Sequence, residues 1–444
     1  MNKRKLLFPL LFAVFTASSL SAQEMSLKQC IEYGIEHNVA IKKAQLEVDK
    51  NEEKKKEVLS TGLPQVNASS TFNDNLVLPT QLLPGQFLGQ PAGTFIPVRF
   101  GTQYNFTAGA TVSQLIYNQT LMVGVEASKV AEDLAGLGAE KVKEQIIYQV
   151  ASSYYALQIT NMQQGIVESN LKKVEQLLSV VKVQYENGFA KKTDYDRLQV
   201  NQTNLKTELE NLQLNVQYLK DVLKYSMGMS LDSSIAITQM IDPASANDAS
   251  PQANISNNID MKILETQKVL NALNVKQYYA GYYPVLSATA SYNWSNMGNE
   301  VHFTGDKAQW YNTSVVGLNL SFPIFDGLNR HYKAQQAKIQ QEQLELDASS
   351  LAESIRIGNL NAYKTFKSNQ ATLIVQERNM KLAEEIFAST QEQYNGGIVS
   401  MSELLSAETA LKEAQTNYLK SIVQVKIAEL ELMKASGNIQ SLIK

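Results

Sequence analysis

Between Ile146 and Tyr185 the positions Ile146, Val150, Ser153, Leu157, Thr160, Gln164, Val167, Leu171, Val174, Leu178, Val181 and Tyr185 follow one another at alternating steps of four and three. That is a heptad seam, the spacing that holds one stripe of a helix against a partner. The same spacing returns at Leu198, Gln202, Leu205, Leu209, Leu212, Val216, Leu219 and Leu223, and again at Leu411, Ala414, Tyr418, Ser421, Val425, Ala428 and Leu432. The first two sets are the arms of one helical hairpin over about 120–229, and the third belongs to a second over about 328–437. The turns fall at 186–194 and 395–403, where glycines give the backbone freedom to reverse. No proline stands between Val98 and Asp242, or from Ile324 onward, so nothing in these tracts removes a helical donor. A helix from Leu121 to Tyr185 alone would reach roughly 100 Å, more than a compact domain of this size requires.

Ahead of each hairpin the period changes from seven to two, the signature of strands with unlike faces. Val66, Ala68, Ser70 and Phe72 alternate with Asn67, Ser69, Thr71 and Asn73; Phe106, Ala108, Ala110 and Val112 alternate with Thr107, Gly109 and Thr111. Later, Leu286, Ala288, Ala290, Tyr292 and Trp294 oppose Ser287, Thr289, Ser291 and Asn293, and Val316, Leu318, Leu320 and Phe322 oppose Val315, Gly317, Asn319 and Ser321. The predicted strands are about 65–74, 103–115, 285–295 and 311–323.

The chain therefore reads as one unit written twice. Gly109 pairs with Gly317 and Gln114–Asn118 with Phe322–Asp326, 208 residues apart; Tyr185, Gly188 and Gly228 pair with Tyr394, Gly397 and Gly437, 209 apart. Residues 23–240 form the first strand-strand-helix-helix copy and 259–444 the second. Residues 241–258, rich in Asp, Ser, Asn, Ala and Pro, form a linker. The first copy is longer because of Leu76–Val98, whose Pro79, Pro84, Pro91 and Pro97 and several glycines predict an extended surface loop.

Composition narrows the class. Lys3, Arg4 and Lys5, the apolar run Leu6–Phe15 and the small residues ending at Ala22 predict a cleaved secretory signal over 1–22. Its removal takes the basic count from 40 to 37 against 43 acids, a mature net charge near −6, and excludes a nucleic-acid partner. No later segment offers the eighteen apolar residues of a spanning helix, so the exported chain is soluble or a β-barrel. The single cysteine, Cys30, is expected in the core, and His37, His302 and His331 lack metal-ligand spacing. No catalytic motif is present and no cofactor is implied. The mixed run Lys50–Glu57 reads as a solvated helix face.

The alternation, with aromatics near the strand ends (Tyr104, Trp294, Trp310, Tyr311), matches a transmembrane barrel wall; a soluble β-sandwich would alternate too. The strand count separates the two readings. Four strands are half the smallest barrel, and open edges are not tolerated in lipid, so several chains must share one wall.

These residues resemble the TolC-like outer-membrane efflux proteins over essentially the whole mature chain. The likeness rests on the opening Ser26–Asn38, on Leu63-Pro64 before the first strand, on the duplicated unit, and most specifically on the last tip, Tyr394–Leu405. It implies a mainly α fold with β: a trimeric twelve-stranded transmembrane β-barrel, four strands per chain, continuous with a long periplasmic coiled-coil α-helical barrel. It implies the outer membrane of a Gram-negative bacterium, with most of the mass in the periplasm. The role implied is a passive exit duct of a tripartite efflux or type I secretion system. The implied partners are its own copies, outer-membrane lipid, a periplasmic adaptor and an inner-membrane pump of the RND, ABC or MFS type. The tips, with Gly188, Phe189, Thr193, Gly396, Gly397, Ile398 and Ser402, are the expected adaptor-docking surface. Asp194 and Tyr394 match positions of the links that close the family's periplasmic gate, and Glu403 matches its first acidic ring. Val399 stands where the link has arginine and Ser406 where a second acidic ring would be, so a salt-linked latch is not expected. Three converging Glu403 carboxylates would repel one another; as a helix-start acid, Glu403 would equally answer the helix dipole.

Two other readings stand beside this one. A periplasmic coiled-coil adaptor or scaffold would carry one hairpin flanked by compact β-domains, whereas here there are two hairpins with strands before each. A secreted enzyme would need a constellation that the sequence lacks.

Overall fold

The computed structural model describes residues 24–238, 255–306 and 308–443. The signal segment 1–22 and linker residues 241–254 lie outside the described residues. In chain order the elements are β1 (Glu24–Met25), α1 (Leu27–His37), α2 (Val39–Ser60), β2 (Gln65–Asp74), β3 (Thr80–Pro84), β4 (Phe95–Arg99), β5 (Tyr104–Asn118), α3 (Gln119–Glu186), α4 (Lys192–Met227), β6 (Ala236–Ile237), α5 (Ile259–Ala280), β7 (Val285–Gly298), β8 (Trp310–Ser321), α6 (Asn329–Asn395) and α7 (Met401–Ala435).

Two compact units cut across the two halves of the sequence. One gathers the described parts of Met1–Lys43, Lys141–Asn258 and Ser354–Lys444, the other Ala44–Glu140 and Ile259–Glu353. The second contains an antiparallel sheet in the order β2-β5-β7-β8. Its register aligns the alternating stripes. Val66, Val112, Ala290 and Val316 lie in one row, with Ala68, Ala110 and Tyr292 in a row of the same face. The opposite face carries Ser69, Gly109, Asn293 and Thr313 in one row and Thr71, Thr107 and Ser295 in another. One face is thus mainly apolar and the other mainly small and polar, with Ser314 of β8 on the first and Tyr311 and Val315 on the second.

That apolar face is bare. Val316 is 82% exposed and Leu318 73%, and Val66, Phe72 and Leu320 are exposed too. Near one end Phe106 meets Phe303 at 5.3 Å and Trp310 at 5.8 Å, both edge-on. Thr107 and Ser295 share a hydrogen bond of 3.3 Å across the polar face. β5 passes directly into α3, after a register shift between Leu115 and Tyr117 that carries it beyond the expected 115. β8 stops at Ser321 rather than 323, because Pro323 has no N–H to continue a ladder. The connection that follows holds Gly327 and Leu328 at positive φ (68° and 67°) before α6 starts.

Leu76–Val98 is not the open surface loop expected. Within it lie β3 and the beginning of β4, paired antiparallel from Thr80↔Arg99 to Pro84↔Phe95. Prolines and glycines concealed the strands, since two short runs between turn residues show little alternation.

The helical unit is built from the seams. Val167 and Val174 of α3 bury with Leu205 and Leu212 of α4. Gln164 is only half-buried and Tyr185 is exposed, so the seam loosens at those places. A larger core joins Cys30 and Ile31 of α1 to Ile147, Val150 and Leu157 of α3, Leu223 and Met227 of α4, and Ile439. Burial pushes the Cys30 thiol up to about 12, as a small core residue in apolar surroundings requires. α1 is fixed at its start by a capping box, in which the Gln29 N–H donates to Ser26 Oγ and the Ser26 N–H donates to Gln29 Oε1.

Candidate functional site: the paired hairpin tips

Each hairpin helix ends in one backbone motif. At Gly188 (φ 81°) the Gly188 N–H donates to Tyr185 O at 3.0 Å and the Phe189 N–H to Gln184 O at 2.7 Å. At Gly397 (φ 72°) the Gly397 N–H donates to Tyr394 O and the Ile398 N–H to Gln393 O, both at 2.9 Å. These are Schellman endings, in which a left-handed glycine satisfies carbonyls that the helix leaves unpaired. Gly228 and Gly437, at the ends of α4 and α7, repeat the pattern with φ of 71° and 72°.

The returning helices start differently. α7 has Ser400 as its cap: the Glu403 N–H donates to Ser400 Oγ at 3.3 Å and the Ser400 N–H donates to Glu403 Oε2 at 3.0 Å. α4 has Lys191 at the same place, with no side-chain cap, and Asp194 in its first turn. Both acids thus sit three residues past the cap, where a negative charge offsets the partial positive charge of the helix start. The carboxylate of Glu403 is engaged in this box although the residue is exposed.

The two tips pack on each other. Val181 and Leu198 of the first hairpin bury with Met401 and Leu404 of the second, and Ala190, Tyr195, Phe387, Tyr394 and Leu405 close around them. Tyr185 stacks on Tyr195 with centroids 5.8 Å apart. The Tyr394 hydroxyl is held above its ordinary pKa, first by burial and then by the negative charge of Asp194. That brings together two of the residues singled out in the sequence. Val399 is half-buried, Ser406 exposed, and Gly188, Thr193, Gly396, Gly397 and Ser402 exposed on the turns and first turns. Phe189 and Ile398 are 86% and 76% exposed, as apolar groups at the two turns.

Above the tips runs a ladder of polar contacts between the hairpins that the sequence did not reveal. Asn201 Nδ2 donates to Glu408 Oε2 at 2.9 Å, Lys412 pairs with Glu208, and Asn170 Nδ2 donates to Gln415 Oε1 at 3.5 Å. Partners some two hundred residues apart leave no local pattern. The nearest signal is the seam itself, which puts these positions beside it. Burial raises the Glu408 carboxyl above its ordinary 4.5, against the Asn201 hydrogen bond and the charges of Lys412 and Lys173, which lower it.

Among the described residues no cluster of His, Cys, Asp or Glu could hold a metal ion, and no helix is long and apolar enough to cross a membrane. A four-stranded sheet with a bare apolar face, feeding long helices that turn back in tight tips, is a fold shared with solved outer-membrane proteins. Residues 251–438 match the model of the outer membrane efflux protein family. The fold aligns with that of CusC, solved in a study of folding and transmembrane channel formation, over 98% of both chains with a TM-score of 0.73 and 16% identity. It aligns with the outer membrane protein VceC of Vibrio cholerae over 93% of this chain and 96% of that one, with a TM-score of 0.73 and 15% identity. In sequence it is similar to Nodulation protein T of Rhizobium leguminosarum bv. trifolii, 20% identical over 332 residues, 71% of this chain and 69% of that protein. The resemblance read from the residues is to channel proteins rather than enzymes, and family match and fold agree with it.

The polar ladder has a pH consequence. Below pH 4.5 Glu408 is protonated in both folded and unfolded chains. As pH rises through 4.5 the unfolded carboxyl ionises while the folded one keeps its proton, so stability falls until the folded group ionises too. Glu408→Gln keeps an acceptor for Asn201 without the charge. It is expected to raise the melting temperature at neutral pH and to flatten the stability profile just above pH 4.5; a melting temperature lowered at neutral pH would show that the ionised carboxylate is a net stabiliser.

Proposed function

We propose that three copies of this chain share one twelve-stranded barrel in the outer membrane and act as the exit duct of a tripartite efflux or type I secretion system. The observation that carries this reading is the apolar sheet face of Val66, Tyr292, Val316 and Leu318, exposed with no second layer upon it. A water-soluble sandwich would bury such a face against another sheet. In a membrane it meets lipid, while the face of Ser69, Gly109, Asn293 and Thr313 lines an aqueous lumen. The edges β2 and β8 then pair between copies, as hydrocarbon demands of every backbone donor and acceptor.

In this assembly the helices of the three copies close into a periplasmic tube, and the energy of transport comes from an inner-membrane pump reached through an adaptor. Phe189 and Ile398 offer the adaptor apolar knobs. Gly188, Gly396 and Gly397 supply tight turns with little side chain in the way, and Thr193 and Ser402 a polar rim. The gate is a ring of three Glu403 carboxylates with Ser406 beside it, braced by packing of Tyr394 against the first hairpin near Asp194. Val399 cannot form a charged link, so closure rests on packing and neutral polar contacts. The capping box sets the cost of losing Glu403 at about 1 kcal/mol of helix stability, small enough for a gate variant to fold.

Two measurements test this. A cation on the lipid face costs about 2–4 kcal/mol near mid-membrane, so Val316→Arg is expected to be lost from the outer-membrane fraction while Thr313→Arg, on the polar face, assembles normally. Equal assembly of the two would remove the membrane assignment. In planar bilayers Glu403→Ala combined with Ser406→Ala is expected to raise single-channel conductance over the parent; unchanged conductance would take the gate away from these residues.

A further inference from the structure

We propose that the β3–β4 ribbon is a packing surface for second copies of itself, and that in the assembled channel the ribbons meet over the outer mouth of the barrel. The inference rests on the assembly proposed above and adds a contact for which that assembly does not call.

The ribbon is a folded extension of the sheet. The Asn75 N–H donates to Gln103 O at 2.8 Å, the Asn75 side chain donates to Thr102 O at 2.9 Å, and the Phe100 N–H donates to Pro79 O at 3.2 Å, carrying the β2–β5 hairpin outward into β3 and β4. Its end is tied by the Gly85 N–H donating to Thr94 O at 2.7 Å and the Gln90 N–H donating to Gly85 O at 2.9 Å. Gly85 is buried there, and a Cβ would run into Thr94 and, at 2.9 Å, into Gln90. This end of the sheet is opposite the one where β5 enters α3.

Its composition is unlike that of the rest of the chain. Charged residues make up 19% of the sequence, yet none lies between Asn75 and Val98, and no histidine does either. Phe87 is 81% exposed at the tip of the ribbon with Leu88 beside it, Leu82 and Phe95 are exposed on one face of the strands, and Leu76 and Val77 are exposed just before β3. The corresponding connection in the second half, between β7 and β8, carries Glu300, His302 and Asp306. Arg99, where β4 ends, is the one charge on the ribbon, and an apolar element of this size is a contact surface rather than a solvated loop.

Three features select the occupant. Lipid is disfavoured, because a two-stranded ribbon has unpaired backbone along both margins, which hydrocarbon does not tolerate, and because Gln81, Gln86 and Gln90 lie along it. Addition of a further strand is also disfavoured, since Pro84 and Pro97 remove donors from the two strands; contact is therefore through the faces. Finally, β3 follows β2, the edge strand, so the ribbon rises beside the seam where the next copy joins. Twelve strands about 4.8 Å apart enclose a mouth on the order of 25 Å wide. A ribbon running from Asn75 to Gly85 rises about 30 Å, long enough to reach its sisters.

The test is cross-linking in the assembled, detergent-purified protein. Phe87→Cys is oxidised with copper phenanthroline, and the native Cys30 stays out of the reaction because it is buried. Phe87→Cys is expected to give covalent dimers about tenfold faster than Asp306→Cys on the other loop, as thiols held in contact react at a high effective concentration. In a companion sample that also carries Trp294→Phe and Trp310→Phe, so that position 87 holds the one indole, Phe87→Trp is expected to escape quenching by brominated lipid tails. A three-copy particle in which Phe87→Cys forms no dimers, or in which the tryptophan is quenched, overturns the ribbon contact while leaving the channel reading intact. A single-copy particle overturns the assembly and the contact together.

Discussion

In hydrocarbon a backbone N–H or C=O without a partner costs several kcal/mol, and a strand at a sheet edge presents a whole row of them. The sheet of this protein has two such edges, β2 and β8, and an apolar face with no second layer upon it beyond Phe303 at one end. The open edges are costly in lipid and the bare apolar face is costly in water, so neither medium suits both features of a single chain. Further copies relieve both at once, by pairing edge to edge and turning the apolar face outward. The ladder of small polar residues on the other face, including the Thr107–Ser295 contact, then faces water.

The helical unit answers a different demand, the satisfaction of helix ends. Gly188, Gly228, Gly397 and Gly437 close four helices by the same left-handed motif. At Gly228 the space is so tight that a Cβ would lie 2.8 Å from the backbone of His37 and Asn38, so conformation and packing both require glycine there. Glu403 shows how stability and function converge on one group. Its carboxylate accepts the Ser400 N–H and completes a helix start, and in the proposed trimer the same carboxylate contributes to a ring of like charge. Movement of the ring therefore acts on the start of α7 as well.

Much of this was legible in residues. The alternation of Val66, Ala68 and Phe72 against Asn67, Ser69 and Thr71 anticipates a two-faced sheet, because a strand's period of two is insensitive to long-range context. The paired glycines were visible for a similar reason, since a left-handed residue is a local requirement. What escaped was non-local or masked. The Asn201–Glu408 and Glu208–Lys412 contacts join distant helices and show no spacing rule. The ribbon was hidden by its own prolines, and α1 and α5 carry no heptad seam to reveal them; of α2 only the solvated face of Lys50–Glu57 was legible, and α2 has no buried residue in the single chain. β8 was drawn too long because Phe322 continues the apolar alternation, whereas Pro323 ends the ladder.

The central claim is that one chain supplies only part of a wall. The most direct measurement is the mass of the particle extracted from outer membranes, with detergent subtracted, by native mass spectrometry or sedimentation. The account predicts three chains per particle and no stable smaller species in mild detergent. A monodisperse single chain that retains its β-sheet signal in the membrane would contradict it.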